Sequence, residues 1–437
     1  MMTDKGVMMI TKIFFKHVIP SMLAFAFSGI YVIIDGIFVG RNTGDIGLAA
    51  VNINYPIAAL MQALGTGIGM AGGIWISIKR GQKKSNEESS FLGNSLFLLL
   101  ISALVLMVSL LLTYPYVLTI LGAKGELLKP SEDYLKIIIY GTIFQVLATG
   151  FIPLVRNYNG VILAMIAMIA GLITNTVLDY VFIVLFPWGT AGAAAATVIG
   201  QAMTLILLLP FFFLPKPLLS WQDLIPQWQI TKQILPVARS PFGMTLIPNL
   251  IVIILNKSAI YYGEIVAVSA YAIISYVIYI VQLFLQGIGD GAQPLISRYY
   301  GAENKVALRK IRFLSYSMSF FVGLLSALAL YFSRKQLPIL FGSSPKVALM
   351  YEQALIYFLI GILFVSILRV CISYLYAVNQ SFSASLLIYG EPVLLMSLIL
   401  FLLPPFLGLN GVWLSVPVSE LIMMFLSLFY VKKAIKK

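Results

Sequence analysis

Ser95-Leu96-Phe97-Leu98-Leu99-Leu100-Ile101-Ser102-Ala103-Leu104-Val105-Leu106-Met107-Val108-Ser109-Leu110-Leu111-Leu112 runs for eighteen residues without a charge. Wound as an α-helix it is about 27 Å long, close to the ~30 Å hydrocarbon core of a bilayer. It lacks the alternation of a barrel strand, and hydrocarbon offers no partner to an open backbone, so it reads as a membrane-spanning helix.

Comparable runs lie on both sides of it. Their hydropathy predicts helices near 13–37, 47–75, 90–115, 131–153, 160–186, 191–215, 232–260, 264–297, 311–335, 351–378, 382–405 and 410–433. Composition agrees: 60% of the 437 residues are hydrophobic and 10% charged, against roughly 25% charged in a soluble domain. The expected fold is an all-α integral membrane protein with twelve transmembrane helices.

The formal charge of +13 does not point to nucleic acid, because the basic residues cluster in alternate connections between apolar runs. Lys5, Lys12 and Lys16 precede the first helix; Lys79, Arg80, Lys83 and Lys84 follow the second; Arg156 follows the fourth. Lys216, Lys232 and Arg239 lie at the centre, Arg298, Lys305, Arg309, Lys310 and Arg312 after the eighth, and Lys432, Lys433, Lys436 and Lys437 in the tail. These are 20 of the 29 basic residues, and the positive-inside rule places that side, with both termini, in the cytoplasm. A single cysteine, Cys371, excludes a disulfide framework, and a single histidine, His17, argues against zinc or haem ligation.

The chain also repeats itself. Gly67-Ile68-Gly69 returns as Gly287-Ile288-Gly289, and Ile76-Ser77 with Gly81 returns as Ile296-Ser297 with Gly301. Gly44-Asp45-Ile46 resembles Gly263-Glu264-Ile265, and Gly189 and Gly192 resemble Gly408 and Gly411. Two homologous six-helix bundles are expected, 1–215 and 242–437. They are joined by a linker at 216–241, in a region marked by Pro215, Pro217, Pro226, Pro236, Pro241, Trp221 and Trp228. Gly67-Ile68-Gly69-Met70-Ala71-Gly72 fits a dinucleotide fingerprint in letters alone. It sits inside an apolar span, where Gly65, Gly69 and Gly73 make a small-residue packing stripe.

Carboxylates inside spans carry more information, since each is costly unless it meets partners or a wet cavity. Asn175 and Asp179 share a helix face at i and i+4. Asp179 lies nine residues before Trp188 and Thr197 nine after it, so both sit about 13 Å from that turn. Asp35 precedes its own outer loop by a similar distance, and Tyr134 enters from the same side. Asp35, Tyr134, Asn175, Asp179 and Thr197 are therefore candidates for a site holding Na⁺ or sharing protons. The alternatives are an interfacial Asp35 and a structural, hydrogen-bonded Asp179. Pro20, Ala24, Ser28 and Tyr31 continue the Asp35 face, and Met168 the Asn175–Asp179 face. This stripe is a candidate substrate path or an ordinary packing face. The second half has Asn256 near the position matching Asp35, and carries Asp290, Arg369, Glu391 and Glu420, where Arg369 is expected to form a buried pair with one of the acids.

In combination these residues resemble the multidrug and toxic compound extrusion (MATE) family, particularly its DinF-like branch. The resemblance covers the whole chain: two six-helix halves, Asp35-Gly36-Ile37-Phe38-Val39-Gly40, Asn175, Asp179 and Thr197. It implies a V-shaped pair of bundles around a central cavity, and exchange of cytoplasmic amphipathic or cationic small molecules for external H⁺ or Na⁺. It also implies a first-bundle cation site at Asp35, Asn175, Asp179 and Thr197 with Tyr134, and a functional proline at Pro20.

The expected protein is a monomeric, multi-pass antiporter of the cell (inner) membrane, with no cofactor beyond the coupling ion. A flippase for lipids or lipid-linked oligosaccharides is the alternative, and it would need a strongly cationic cavity. A membrane enzyme would need a nucleophile, metal or acid–base set, and the lone His17 and Cys371 lie far apart without a hydrolase motif.

Overall fold

A straight helix of 78 residues would be about 117 Å long, nearly four bilayer cores end to end. Helix α1 (Asp4–Gly81) has that length and is two helices joined at Gly44, whose φ of 69° and ψ of −170° lie outside the helical region. Glycine adopts such a conformation without steric cost. The computed structural model describes residues 4–213, 218–219 and 221–436; Pro215, Lys216 and Pro217 of the expected linker, and Lys437 of the tail, lie outside the described residues.

The remaining first-half helices are α2 (Ser85–Leu121), α3 (Leu128–Tyr140), α4 (Thr142–Asn157), α5 (Val161–Asp179) and α6 (Gly189–Leu208). The second half has α7 (Trp228–Gly301), α8 (Lys305–Ser333), α9 (Gln336–Leu340), α10 (Pro345–Ala377), α11 (Ser381–Gly390), α12 (Ser397–Leu402), α13 (Pro404–Leu407) and α14 (Leu409–Lys436). Like α1, α7 is two helices, joined at Glu264. The single span expected near 131–153 is instead a pair, α3 and α4, bent by 56°. Gly141 sits at the bend, where a Cβ would collide with the Val198 side chain of α6. Among the described residues nine helices are long and apolar enough to cross a bilayer, and the bent pair makes ten. Counting both arms of α1 and α7 gives twelve.

The internal repeat is written in the backbone. Positive φ occurs at Gly44 and Glu264, Lys83 and Glu303, Gly122 and Gly342, and Asn159 and Asn379, each pair 220 residues apart. Gly189 and Gly408 follow at 219. The backbone thus pairs Gly44 with Glu264, one residue later than the sequence likeness to Gly263 suggested. One tertiary bond repeats as well: Ser77 Oγ donates to Asn157 Oδ1 at 2.6 Å, and Ser297 Oγ to the Ala377 carbonyl at 2.8 Å.

Two compact units result. The first comprises Ala26–Thr245 with Gly301–Glu303; the second comprises Met1–Phe25, Leu246–Tyr300 and Asn304–Lys437. In the first, the Gly65/Gly69/Gly73 stripe is where α1 meets α4: a Cβ at Gly69 would strike the Gly150 backbone, and one at Gly73 would strike Asn157. In the second, Tyr271, Phe358 and Trp413 tie α7, α10 and α14 together with ring centroids 5.7–6.0 Å apart. The opening turns of α1 lie on glycines of α7, where a Cβ at Gly287 would come within 2.6 Å of Met22 Cα and one at Gly291 within 2.8 Å of Val18 Cα.

Candidate cation site

Within the first unit, α1 contributes Tyr31 and Asp35, α3 Tyr134, α5 Asn175 and Asp179, and α6 Thr197. The helices are drawn together by absent side chains. Gly171 of α5 and Gly200 of α6 meet backbone to backbone, four and three residues from Asn175 and Thr197. Asn175 Nδ2 donates to Thr197 Oγ1 at 3.4 Å, and Thr197 Oγ1 donates to the Ala193 carbonyl at 3.0 Å. The sequence spacing had set Thr197 beside Asp179; the partner is Asn175, one turn away. Between Asp179 and the outer turn, Tyr180–Leu185 winds as a π-helix. Such π turns recur at functional sites.

Asp35 and Asp179 approach within side-chain hydrogen-bonding reach. Tyr31 and Tyr134 lie close enough to act electrostatically on both acids, and the Tyr31 hydroxyl lies within side-chain reach of Thr197. Asp179, Asn175 and Tyr134 are buried. Asp35 Oδ1, both Asp179 oxygens and Asn175 Oδ1 are shielded from solvent and have no donor. Two ionised carboxylates accept only, so closeness alone satisfies neither. Among the described residues no lysine, arginine or histidine acts on either acid. A proton shared between the carboxyls, or a cation held by their oxygens with Asn175 Oδ1 and the hydroxyls, would supply the missing charge.

An apolar groove of about 400 Å³ is lined by Ile34, Ile37, Phe38, Arg41, Asn42, Tyr180 and Val184, of which Ile34 and Tyr180 are the chain neighbours of Asp35 and Asp179. Phe38 and Tyr180 pack edge to face across it at 6.4 Å.

The other sequence candidates scatter. Tyr31 joins the acid cluster itself, as its i−4 spacing from Asp35 allows. Ser28 belongs to the first unit, whereas Pro20 and Ala24 belong to the second. Met168 lies eleven residues before Asp179 on α5, roughly 16 Å along the axis, and its sulfur accepts from Arg156 Nη2 at 3.4 Å. The structure thus does not bring Met168 to the acids. The π turn had no sequence signal.

Comparison with known proteins agrees with this architecture. The sequence profile described as MatE matches residues 20–181 and 242–390, once in each half. The multidrug export protein MepA of Staphylococcus haemolyticus (strain JCSC1435) is 27% identical over 426 residues, covering 94% of this chain and 91% of that protein. An outward-facing multidrug resistance MATE family transporter of the MOP superfamily superposes with a TM-score of 0.93 at 21% identity, covering 100% of this chain and 99% of that one. A MOP superfamily transporter from Pyrococcus furiosus, described as having a binding pocket of reverse polarity, gives 0.93 at 21% identity with both chains fully covered.

Proposed function

Because this chain belongs to the MatE family of transporters and is not an enzyme, we propose that it exports small amphipathic or cationic molecules from the cytoplasm in exchange for inward-moving H⁺ or Na⁺. The observation that carries this reading is the Asp35–Asp179 pair: two carboxyls in mutual reach, Asp179 fully buried and Asp35 half-buried with its Oδ1 shielded from solvent, and no basic partner on either. A permanently buried structural pair of that kind would be a standing cost. A pair that is filled and emptied stores free energy that a gradient can supply.

Occupancy changes the interaction between α1 and α5, because only a proton or cation turns repulsion between the acids into attraction. Tyr31, Thr197 and Asn175 provide further oxygens for the ion. The groove lined by Phe38 and Tyr180 is built on the chain neighbours of the two acids, and its apolar wall suits the hydrophobic part of a substrate whose cationic part competes for the same carboxylates. Alternating access follows if ion and substrate favour different states. The basic connections and the basic tail support the part of this proposal that sets both termini in the cytoplasm, and we propose a monomer in the cell (inner) membrane.

The test is efflux of a fluorescent cationic dye from proteoliposomes under an imposed pH gradient and, separately, an imposed Na⁺ gradient. Asp179→Asn is expected to abolish the gradient-dependent component under whichever ion drives the wild type. Undiminished gradient-driven efflux in that variant would sink the proposal.

A further inference from the structure

The second unit holds ionisable groups that the reading above does not use. Arg369 of α10, Glu391 at the end of α11 and Glu420 of α14 are electrostatic neighbours, and Asp290 of α7 and Tyr376 of α10 also act on the guanidinium. Arg369 Nη2 donates to Gln282 Oε1 at 3.3 Å. The Tyr376 hydroxyl lies 3.2 Å from Asp290 Oδ1 and 3.0 Å from Ser373 Oγ. The ionisable groups that α8 turns toward α10, Arg312 and Tyr316, engage Tyr374 and Cys371 instead.

Glu420 lies over Gly361 of α10, where a Cβ would stand 3.5 Å from its Oε2. That oxygen is buried and has no hydrogen-bond partner. Arg369 is eight residues from the end of α10, Glu391 ten from the start of α11 and Glu420 eleven from the start of α14. At 1.5 Å per residue these are depths of roughly 12–17 Å, near the middle of a ~30 Å core.

The backbone marks the place independently. The chain winds into a π-helix over Glu391–Met396, as it does over Tyr180–Leu185 after Asp179. These two π turns, each set at an intramembrane carboxylate, are the only ones among the described residues. The second cluster is not an inherited copy of the first. The 220-residue shift takes Glu391 to Gly171 and Arg369 to Thr149, and the 219-residue shift that matches Gly408 with Gly189 takes Glu420 to Gln201. Asp35 and Asp179 have Leu255 and Ile399 opposite them.

Glu391, Glu420 and Asp290 set three carboxyls against one guanidinium, an excess of two negative charges when all are ionised. Charge of that kind in a low-dielectric interior must be neutralised. A metal cation is a poor choice, because it needs several oxygens at once and meets the fixed positive charge of Arg369. A proton needs one lone pair, and Glu420 Oε2 offers it. We propose that Glu391 and Glu420 form a second, proton-selective site in this unit, with Arg369 as its permanent counter-charge. On binding, one of the two glutamates takes a proton from a hydronium ion and becomes a carboxylic acid, which lowers the excess from two negative charges to one, with the Tyr376 hydroxyl donating to Asp290; on release the proton returns to water and that carboxylate turns to Arg369. This site admits H⁺ and excludes Na⁺, whereas the Asp35–Asp179 site, free of basic residues, admits either.

The test removes the first site and observes the second without transport. In full-length protein carrying Asp35→Asn and Asp179→Asn, infrared difference spectra between acidic and alkaline buffer report the protonated carboxyl stretch. A titrating band is expected to persist, to be unmoved by Na⁺, and to lose about one carboxyl of amplitude on adding E420Q or E391Q. Unchanged amplitude in both glutamine variants, or suppression of the band by Na⁺, would overturn the proposal. If E420Q is not recovered as monodisperse protein, E391Q and R369K decide: R369K must shift the titration midpoint, and a fixed midpoint overturns the assignment. Because Asp35 and Asp179 are absent throughout, failure of coupling at those residues would not affect the result.

Discussion

Gly171 and Gly200 touch reciprocally where α5 crosses α6: a Cβ on Gly171 would lie 2.7 Å from the Gly200 carbonyl oxygen, and one on Gly200 2.8 Å from that of Gly171. Thr204 Oγ1 also stands in the way at Gly171, but each added Cβ meets a backbone oxygen as well, so neither substitution can be absorbed by a rotamer change alone. Gly200→Ala would also press on Asn175 Cβ, 2.9 Å away, and so lengthen the 3.4 Å bond to Thr197. Overpacking of this kind costs about 1–3 kcal/mol. Gly200→Ala is expected to lower the melting temperature in detergent and to weaken ion-dependent efflux together. Loss of stability with intact coupling would show that the crossing does not position the site.

Asp35 and Asp179 act as one unit if a single proton or cation neutralises both. Asp35→Asn and Asp179→Asn should then each reduce gradient-driven efflux at least about tenfold, and the double variant should be no worse than either single one, the non-additivity that shared function produces. Rates from all four proteins in the same proteoliposomes measure this. Multiplicative losses would mean that the two acids bind separately.

Much of this was legible in the sequence because lipid enforces a simple rule: apolar runs of membrane length become helices. The repeat was legible because both halves keep Gly-Ile-Gly within a span, Ile-Ser ahead of a glycine, and a pair of glycines near the end of each half. The Asp35 and Asp179 faces followed from helical periodicity. Other features depend on atoms far apart in sequence. The bend at Gly141 reflects how closely Val198 approaches, and the assignment of Pro20 and Ala24 to the second unit reflects α1 lying on Gly287 and Gly291. No residue pattern announced the π turns, which insert a wider hydrogen-bond ring without a diagnostic side chain.

At the α1–α2 connection, Glu87 meets Lys79 at 2.5 Å and Lys84 at 3.1 Å. Their hydrogen bonds, that of Lys79 foremost, hold its carboxyl below the ordinary glutamate range. A depressed folded value means the pair stabilises the protein above the unfolded value, about 4.3, and that this contribution fades as pH falls through the lower folded one. Glu87 is 44% exposed, so solvent and salt keep the effect small. Glu87→Gln should lower the melting temperature slightly at pH 7 in low salt, with the difference shrinking once pH drops below the unfolded value and vanishing below the lower folded one, or in high salt. An equal deficit at every pH would assign the effect to packing.

Glu264 stands at φ 56° and ψ −158°, where its repeat partner is Gly44 at φ 69° and ψ −170°. That region is essentially reserved for glycine, and a residue with a Cβ held there costs on the order of 1–3 kcal/mol. Glu264→Gly removes the clash but frees the unfolded chain, which returns about 0.5–1 kcal/mol of the gain. The expected net effect is a modest rise in melting temperature. Gly44→Ala imposes the same strain on the first half without relief and should lower it. Thermal unfolding of both variants in one detergent checks the pair, and the opposite signs make the comparison sharp. If Glu264→Gly destabilises as much as Gly44→Ala, the glutamate side chain contributes more at that joint than its backbone strain removes.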